Sequence, residues 1–261
     1  MKQVRAKKYL GQHFLNDLDI ARRIVESLPT PPAQLIEVGP GMGVLTQFLV
    51  ERSDVDLHLV EIDSESVAYL HQHYPQLKER IVEGDFLKMD FKQLFPERFS
   101  IIGNFPYNIS SQIFFKAFEN RHQIAYVVGM VQKEVGRRMA SGPGSKEYGI
   151  LSVLLQSFFE VEYLFTVDEH VFTPPPKVKS GVLRMTRNQV EQLDCDERLF
   201  IRVVKAAFLH RRKTLRNSLR KLDFNHDAVL HLPVFNLRPE QLSVQGFQEL
   251  TRLIQDHPRC E

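Results

Sequence analysis

The most chemically informative segment of the sequence is Asn104-Phe105-Pro106-Tyr107, which directly follows the apolar run 99–103. The run predicts a buried strand, and in α/β proteins ligands meet the residues that follow such strands. The Asn104 amide oxygen and a main-chain carbonyl beside Pro106 can each accept an N–H, and Pro106 restricts the backbone on both sides. Tyr107 adds an aromatic face. These groups predict a site for an amino group on a flat base; a plain turn is the alternative interpretation.

The amino group of adenine is a poor nucleophile because its lone pair is delocalised into the ring. Two acceptors, Asn104 and the carbonyl beside Pro106, would draw that nitrogen toward tetrahedral geometry, while Tyr107 stacks on the base. Catalysis would then depend on positioning and hydrogen bonding, which can supply roughly 7–11 kcal/mol of the barrier. No strong general base is required.

A glycine-rich turn upstream predicts a binding site for a second small molecule. The strand 35–38 precedes Gly39-Pro40-Gly41-Met42-Gly43, and apolar residues at helical spacing follow. Gly39 and Gly41 allow a cofactor to approach the backbone closely, and the helix start offers free N–H groups. Since Val44 stands where the third glycine of a dinucleotide motif would be, pyrophosphate binding is disfavoured.

Two further strand ends carry acidic residues that suit a nucleoside. Glu61 ends the next apolar run and can accept both hydroxyls of a ribose. Asp85 follows the third run and can accept the amino group of the cofactor's adenine, with Phe86 available to stack. Each residue alone could belong to an ordinary turn or be a solvated carboxylate. Their order and spacing together favour the binding site.

Seven segments of the chain resemble the ribosomal RNA adenine dimethylase family, and most of all its bacterial small-subunit members. They are 8–15, 37–43, 104–110, 132–135, 148–153, 172–178 and 211–216. The resemblance implies S-adenosylmethionine as methyl donor and two methyl groups on each of two adjacent adenosines, in a hairpin near the 3′ end of 16S rRNA. By motif match, the residues that would contact the donor or line its pocket are His13, Leu15, Gly39, Glu61, Asp85 and Asn104. Phe105 stands where many members carry Leu, and His13 stands where some carry Asn. These two differences bear on fine specificity and not on activity.

The alternation of apolar runs with helical segments predicts an α/β fold with a mostly parallel, doubly wound sheet, as in class I methyltransferases. The predicted division is a catalytic domain, 1–187, with a basic arm at 1–16, and a small helical RNA-docking domain, 188–261. The proline-rich stretch 172–177 is expected to be irregular, and the resemblance places Phe172 against the target adenine, opposite Tyr107. The expected strands lie near 34–38, 56–60, 80–83, 99–103, 124–131, 159–167 and 180–187, and a helix is expected near 17–28.

Net charge is only +2, but its distribution favours RNA. Residues 199–222 contain no acid, and the N-terminal arm carries four basic residues before its first acid, Asp17. Two such segments could flank a cleft and hold phosphates, although a solvated helix face is the usual explanation of a basic run. The predicted RNA-binding residues are Lys7, Lys8, Arg211, Arg212, Lys213 and Arg216.

Bulk composition is that of an ordinary globular protein, with 43% hydrophobic and 25% charged residues among 261. Cys195 and Cys260 have no metal-ligand spacing, so no metal is expected. The sequence lacks an apolar signal region and a run long enough to span a membrane, so we expect a cytoplasmic monomer.

Three other functions are compatible with these patterns. One is dimethylation of a large-subunit adenosine that confers antibiotic resistance, by the same chemistry. Another is a mainly non-catalytic RNA-binding factor in ribosome assembly. The third is a nicotinamide oxidoreductase, which Val44 disfavours.

Overall fold

A computed structural model of the chain describes residues 4–29 and 34–259. Lys2 and Cys260 therefore lie outside the described residues. The strands are β1 (Phe14–Leu15), β2 (Gln34–Val38), β3 (Asp56–Glu61), β4 (Ile81–Glu83), β5 (Phe99–Asn104), β6 (Ile124–Gln132), β7 (Phe159–Val167), β8 (Phe172–Thr173) and β9 (Ser180–Arg187).

Seven of these strands form one sheet in the order β4-β3-β2-β5-β6-β9-β7. Neighbouring pairs from β4 to β6 run parallel, and β9 runs antiparallel to β6. The predicted mostly parallel sheet is therefore confirmed, with its seven strands within two residues of the predicted bounds. Because parallel strands end at the same edge, the segments after β2, β3, β4 and β5 are brought together there.

The central strands are apolar because the sheet is covered on both faces. Leu35 and Ile36 in β2 and Ile101 and Ile102 in β5 are fully buried. The helices are α1 (Leu18–Glu26), α2 (Thr46–Leu49), α3 (Ser64–His73), α4 (Phe91–Leu94), α5 (Ser110–Glu119), α6 (Lys133–Ala140), α7 (Ile150–Gln156), α8 (Glu197–Leu209), α9 (Leu215–Ser218), α10 (His226–Val229) and α11 (Val244–Gln255).

Helix α1 shows how local sequence sets an element's limits. The Asp17 side chain accepts hydrogen bonds from the N–H groups of Asp19 and Ile20, both at 3.0 Å, and so caps the first turn. Ala21, Ile24 and Val25 are buried on one face. The cap and this apolar face account for the predicted helix near 17–28.

The proline-rich stretch is more regular than the sequence predicted. Phe172–Thr173 forms β8, which pairs antiparallel with β1 in a separate two-stranded sheet. Phe14 lies opposite Thr173, and Leu15 lies opposite Phe172. This pairing was not predictable from local patterns because each strand has only two residues.

The chain forms two compact units whose division differs from the predicted one. The first unit contains residues 1–136 and 161–187, and the second contains 137–160 and 188–261. The segment 137–160 joins the helical unit because the apolar α7 packs against α8 and α11. Within the described part of the chain, no helix is long and apolar enough to cross a membrane.

Candidate active site

A cavity of about 170 Å³ lies at the carboxyl ends of β2 to β5. It is the place where the strand-end residues singled out in the sequence meet. Those that line it are His13, Gly39, Gly41, Glu61, Asp85, Phe86, Asn104, Phe105, Pro106 and Tyr107. Residues that the sequence patterns did not single out, among them Gln12, Phe14 and Ile62, complete the wall. In the sequence, only their position next to predicted site residues could have indicated that they line the cavity.

The glycine turn after β2 packs closely against the N-terminal arm. Gly39 and Gly41 have φ values of +68° and +57°, a region that side chains rarely adopt. A Cβ at Gly41 would lie 2.8 Å from the Phe14 ring. Gly41 is therefore needed both for the turn and for the close approach of Phe14.

Glu61, at the end of β3, is 3% exposed and organises the surrounding backbone. One carboxylate oxygen, Oε2, accepts from the Gly41 N–H at 3.0 Å, and Oε1 accepts from Ile62 and Asp63, both at 2.9 Å. Burial raises the pKa of the carboxyl, although these three bonds act in the opposite direction. A carboxylate has about four lone-pair positions, so about one remains, on Oε2. A ribose held here would bind strongly through one hydroxyl rather than the predicted two.

The Asp85 side chain caps the short 3₁₀ turn Phe86–Lys88. Its Oδ1 accepts from the Leu87 N–H at 3.0 Å, while Oδ2 lies 3.6 Å from the Lys88 ammonium, which is largely exposed. The ring of Phe86 is 3% exposed, and its centroid lies 5.1 Å from that of Phe91. Asp85 and Phe86 both line the main cavity.

Asn104 is oriented by the N-terminal arm. Its amide nitrogen donates to the main-chain carbonyl of His13 at 2.9 Å. With the nitrogen engaged there, the amide oxygen remains available as an acceptor, and Asn104 lines the cavity. This is the orientation that the predicted binding of an amino group requires.

The other residues of the loop are held by close packing and hydrogen bonds. The Phe105 ring is 1% exposed and occupies the space beside Gly129, where a Cβ would collide with the ring. The Pro106 carbonyl accepts from the Ile109 N–H at 3.1 Å and keeps a second lone pair. The Tyr107 hydroxyl lies 2.5 Å from the Ser180 hydroxyl, and burial raises the pKa of Tyr107. The hydroxyl end of the Tyr107 side chain is therefore fixed.

The N-terminal arm closes one side of the cavity. The His13 ring lies 5.3 Å from the Tyr107 ring, and its Nδ1 is 2.7 Å from the Pro174 carbonyl. Leu15 does not line the main cavity; it is 3% exposed and borders a smaller one of about 40 Å³. That smaller cavity shares Phe14, Gly39 and Asn104 with the main one.

Phe172 lines neither of the two cavities. Its side chain is 3% exposed and belongs to the hydrophobic core together with Leu15, its partner in the β1–β8 pairing. The predicted stacking of Phe172 on a target base therefore does not fit this structure. The pairing turns the ring inward, which the proline-rich sequence around it did not indicate.

Glu37, in β2, is a site residue that the sequence patterns did not single out. It is 1% exposed, borders the smaller cavity and accepts from the Thr46 hydroxyl at 2.7 Å. Burial, with a further contribution from the charge of Glu61, raises the pKa of Glu37 to about 8. The feature of the sequence that could have indicated Glu37 is its place as the one acid within an apolar strand.

The raised pKa of Glu37 predicts a pH dependence of stability. An acid whose pKa is higher in the folded state stabilises that state fully at pH values below the unfolded-state pKa, and this contribution is lost as the pH rises to about 8. We therefore expect the Tm to fall between about pH 5 and pH 8. Glu37→Gln should make the fall shallower in thermal unfolding measurements, because its amide does not titrate and can still accept from Thr46. If the Tm of Glu37→Gln fell with pH as steeply as that of wild type, the raised pKa of Glu37 would be contradicted. Glu83→Gln, which replaces an exposed carboxylate, is the control.

The predicted RNA-binding residues differ in their availability. The Lys7 ammonium pairs with the buried Asp63 and lies 3.3 Å from Glu65, so it stabilises the arm, while Lys8 is exposed. Arg211 donates to the Ser145 carbonyl at 2.9 Å and is half-buried. Arg212 and Lys213 are exposed in the turn after α8, and Arg216 is half-buried. Lys8, Arg212 and Lys213 are the residues freest to meet phosphates.

The chain is similar to a known family and to named proteins. The ribosomal RNA adenine dimethylase family matches residues 3–236. A protein of Parabacteroides distasonis named ribosomal RNA small subunit methyltransferase A is 58% identical over 98% of this chain and 97% of its own length. A protein of the same name from Bacteroides thetaiotaomicron is 56% identical over 98% and 96%.

Solved structures share this fold over most of the chain. A dimethyladenosine transferase from Plasmodium falciparum has a TM-score of 0.79 at 23% identity, covering 95% of this chain and 100% of that chain, which shows a shared fold. The 23S rRNA methyltransferase ErmE has a TM-score of 0.68 at 27% identity, covering 92% and 99%. Since the family match spans most of the sequence and relatives share more than half of their residues with it, the chain belongs to the ribosomal RNA adenine dimethylase family.

Proposed function

We propose that this chain transfers methyl groups from S-adenosylmethionine to the exocyclic amino groups of two adjacent adenosines in a 3′-terminal hairpin of 16S rRNA, giving N6,N6-dimethyladenosine. The substrate would be a small ribosomal subunit or its precursor, and the enzyme would act as a cytoplasmic monomer. The observation that carries the chemistry is the Asn104 amide, whose nitrogen is engaged by the His13 carbonyl at 2.9 Å while its oxygen is left to accept.

The groups around the main cavity fit S-adenosylmethionine, which supplies a methyl group on a positively charged sulfur. Asp85 offers an acceptor for an adenine amino group beside the apolar Phe86, and Glu61 keeps an acceptor position for a ribose hydroxyl. Glu61 also adds an acidic group at the cavity wall, which favours a cationic ligand. The turn at Gly39 and Gly41 leaves space close to the backbone.

The target adenosine would be held by the loop after β5. Its amino group would donate one hydrogen to Asn104 Oδ1 and the other to the main-chain carbonyl beside Pro106. These bonds favour a tetrahedral nitrogen with a localised lone pair. Tyr107, fixed at its hydroxyl by Ser180 and flanked by the His13 ring, would stack on the base. Attack of the nitrogen on the methyl group would form the C–N bond, break the C–S bond and release S-adenosylhomocysteine. The nitrogen would then carry a positive charge and be acidic enough to release its proton to water.

Access to this loop requires the adenosine to leave its stack. That displacement costs a few kcal/mol and is least costly in a hairpin loop, which is also where sequence-specific RNA recognition usually occurs. We choose small-subunit RNA because the relatives that share more than half of their residues with this chain are named for the small subunit. ErmE, which is named for 23S rRNA, is only 27% identical to it. These two observations favour the small subunit over the large one.

The proposal is tested by methyl transfer to purified subunits. Small and large subunits from cells lacking this protein are incubated with the enzyme and isotopically labelled S-adenosylmethionine, and their RNA is digested for mass spectrometry. We expect labelled N6,N6-dimethyladenosine only in small-subunit RNA, at two adjacent positions. Label in the large subunit would point to the resistance-type activity, and binding of subunits without any label would point to an assembly factor.

Exposed basic residues of the second unit are expected to contribute to RNA affinity. Replacing Arg212 and Lys213 together with Ala should weaken RNA binding and reduce the slope of log K against log salt by about 0.7–0.9 for each phosphate that is no longer neutralised. Arg211 is left in place because it supports the Ser145 segment. Fluorescence anisotropy at several salt concentrations measures the slope.

A matched variant with Lys78 and Lys92 replaced by Ala removes the same charge from exposed positions of the first unit. Its salt slope should stay at the wild-type value. Equal slopes in all three proteins would remove Arg212 and Lys213 from the RNA interface, and a loss of donor binding in the Arg212/Lys213 variant would contradict the division of roles.

A further inference from the structure

Lys116 on α5 makes contacts that the chemistry described so far does not use. Its ammonium donates to two main-chain carbonyls, that of Leu87 at 2.8 Å and that of Met89 at 2.6 Å. It also lies 4.7 Å from the centroid of the Phe91 ring, within the range of a cation–π contact. All of these partners belong to residues 87–91, which directly follow the donor-site residues Asp85 and Phe86.

The two ends of the 3₁₀ turn are held by different side chains. Asp85 caps the amino end by accepting from the Leu87 N–H at 3.0 Å. The carboxyl end of a short helix leaves carbonyls without intrahelical partners, and a lysine can satisfy them. Lys116 does so here, from a helix that is distant in sequence. Without it, the turn would be held only at the Asp85 end and by its own backbone.

The same lysine also supports the aromatic wall of the cavity. The ring of Phe91, which faces the Lys116 ammonium, lies 5.1 Å from the ring of Phe86. Phe86 lines the main cavity together with Asp85. Lys116 therefore supports both residues that we assign to the donor's adenine, one through the turn and the other through Phe91.

Lys116 further connects this turn to the catalytic loop. Helix α5 begins at Ser110, three residues after Tyr107, and the Ser110 side chain donates to the Tyr107 carbonyl at 3.3 Å. A rigid helix that starts at the base-binding loop and binds the adenine turn fixes the distance between the two. No sequence pattern indicated this role, since a lone lysine on a helix is usually solvated.

We propose that Lys116 is a positioning residue for the methyl donor, holding the 85–89 turn so that Asp85 and Phe86 meet the adenine. This inference rests on the proposed function and adds a residue to its donor site. Lys116 is not expected to contact the donor.

The test measures the Kd of S-adenosylhomocysteine by calorimetry for wild-type protein, Lys116→Met and Lys92→Met. Methionine keeps an apolar stem of similar length but donates no hydrogen bond, and Lys92 is an exposed lysine on the nearby α4. We expect about tenfold weaker binding for Lys116→Met, the size of effect of losing a charged hydrogen bond. Lys92→Met should bind like wild type. The KM for the donor should rise with the Kd, and kcat at saturating donor should change much less.

A double-mutant cycle with Asp85→Ala separates positioning from an independent effect. If Lys116 acts through the turn, Lys116→Met should weaken donor binding little further in the Asp85→Ala background, because the effects of coupled residues are not additive. Equal losses in both backgrounds, unchanged binding in Lys116→Met, or a fall in kcat without a change in Kd would each overturn the proposal. Lys116→Gln answers the same question if Lys116→Met does not fold, since its shorter amide cannot reach both carbonyls.

Hydrogen exchange gives a readout that does not depend on any ligand. The amides of residues 85–89 should exchange faster in Lys116→Met than in wild type, while those of the sheet stay protected. If wild-type protein failed to bind S-adenosylhomocysteine, the proposed donor would be wrong, and Lys116 would still be judged by this exchange. Unchanged exchange in 85–89 would overturn its positioning role.

Discussion

Replacing Asn104 with Ala is expected to lower kcat by about 10²–10³, the loss seen when one hydrogen-bonding group that stabilises a transition state is removed. The amide oxygen is the acceptor that the structure leaves free at the cavity, because the nitrogen donates to the His13 carbonyl. The Kd of S-adenosylhomocysteine should rise far less than kcat falls. Single-turnover methylation of small-subunit RNA and calorimetry measure the two quantities.

Asn104→Asp is the informative second variant. It keeps an acceptor oxygen but cannot donate to the His13 carbonyl, so it tests whether orientation by the arm matters as well as the acceptor. We expect it to fall between wild type and Asn104→Ala in kcat. Wild-type turnover in Asn104→Ala would remove this residue from the mechanism, and an equal loss in kcat and donor affinity would make it a donor-binding residue instead.

Replacing Glu61 with Gln is expected to weaken binding of S-adenosylhomocysteine by about 10²-fold, because a charged acceptor of hydrogen bonds is removed. Glu61 accepts three backbone N–H groups with two oxygens, and Gln offers only one oxygen. At least one buried N–H, such as that of Gly41, would lose its partner. The glycine turn should loosen, and the Tm should fall together with donor affinity.

Glu83→Gln provides a matched control for this variant. Glu83 ends β4 directly opposite Glu61 in the parallel register, but its side chain is exposed. The same change of charge on the neighbouring strand should leave the Kd and Tm near their wild-type values. Similar donor affinity in Glu61→Gln and wild type would show that the ribose is held elsewhere.

The arrangement of the main site was predictable because it follows from local signals and one topological rule. Four predicted strands end at or just before Gly39, Glu61, Asp85 and Asn104. Parallel strands bring such ends to a common edge, so the order of the runs along the sequence was enough to place these residues together.

The contacts of the N-terminal arm were not predictable, because they depend on pairing between distant segments. Strands β1 and β8 have two residues each, too few to show any periodicity, and their register decides that Phe172 and Leu15 face the core. The same holds for Lys7, whose partner Asp63 is 56 residues away. Their charges and aromatic rings were visible in the sequence, but their partners were not.

The basic segment of the second unit shows a similar limit. A run of Arg and Lys residues predicts a charged surface, yet Arg211 is committed to the Ser145 carbonyl. Ser145 lies in the segment 137–160, which packs with the helical unit through α7. The assignment of that segment depended on which apolar faces match, which a sequence pattern does not specify.

A crystal structure of the protein with sinefungin would show whether the reactive centre of the donor lies at the end of β5, where we propose that the target base binds. We expect its adenine to lie beside Asp85 and Phe86, its ribose to donate to Glu61, and its amine-bearing carbon to contact Asn104. Sinefungin bound away from Asn104, or in the opposite direction across the strand ends, would contradict this arrangement.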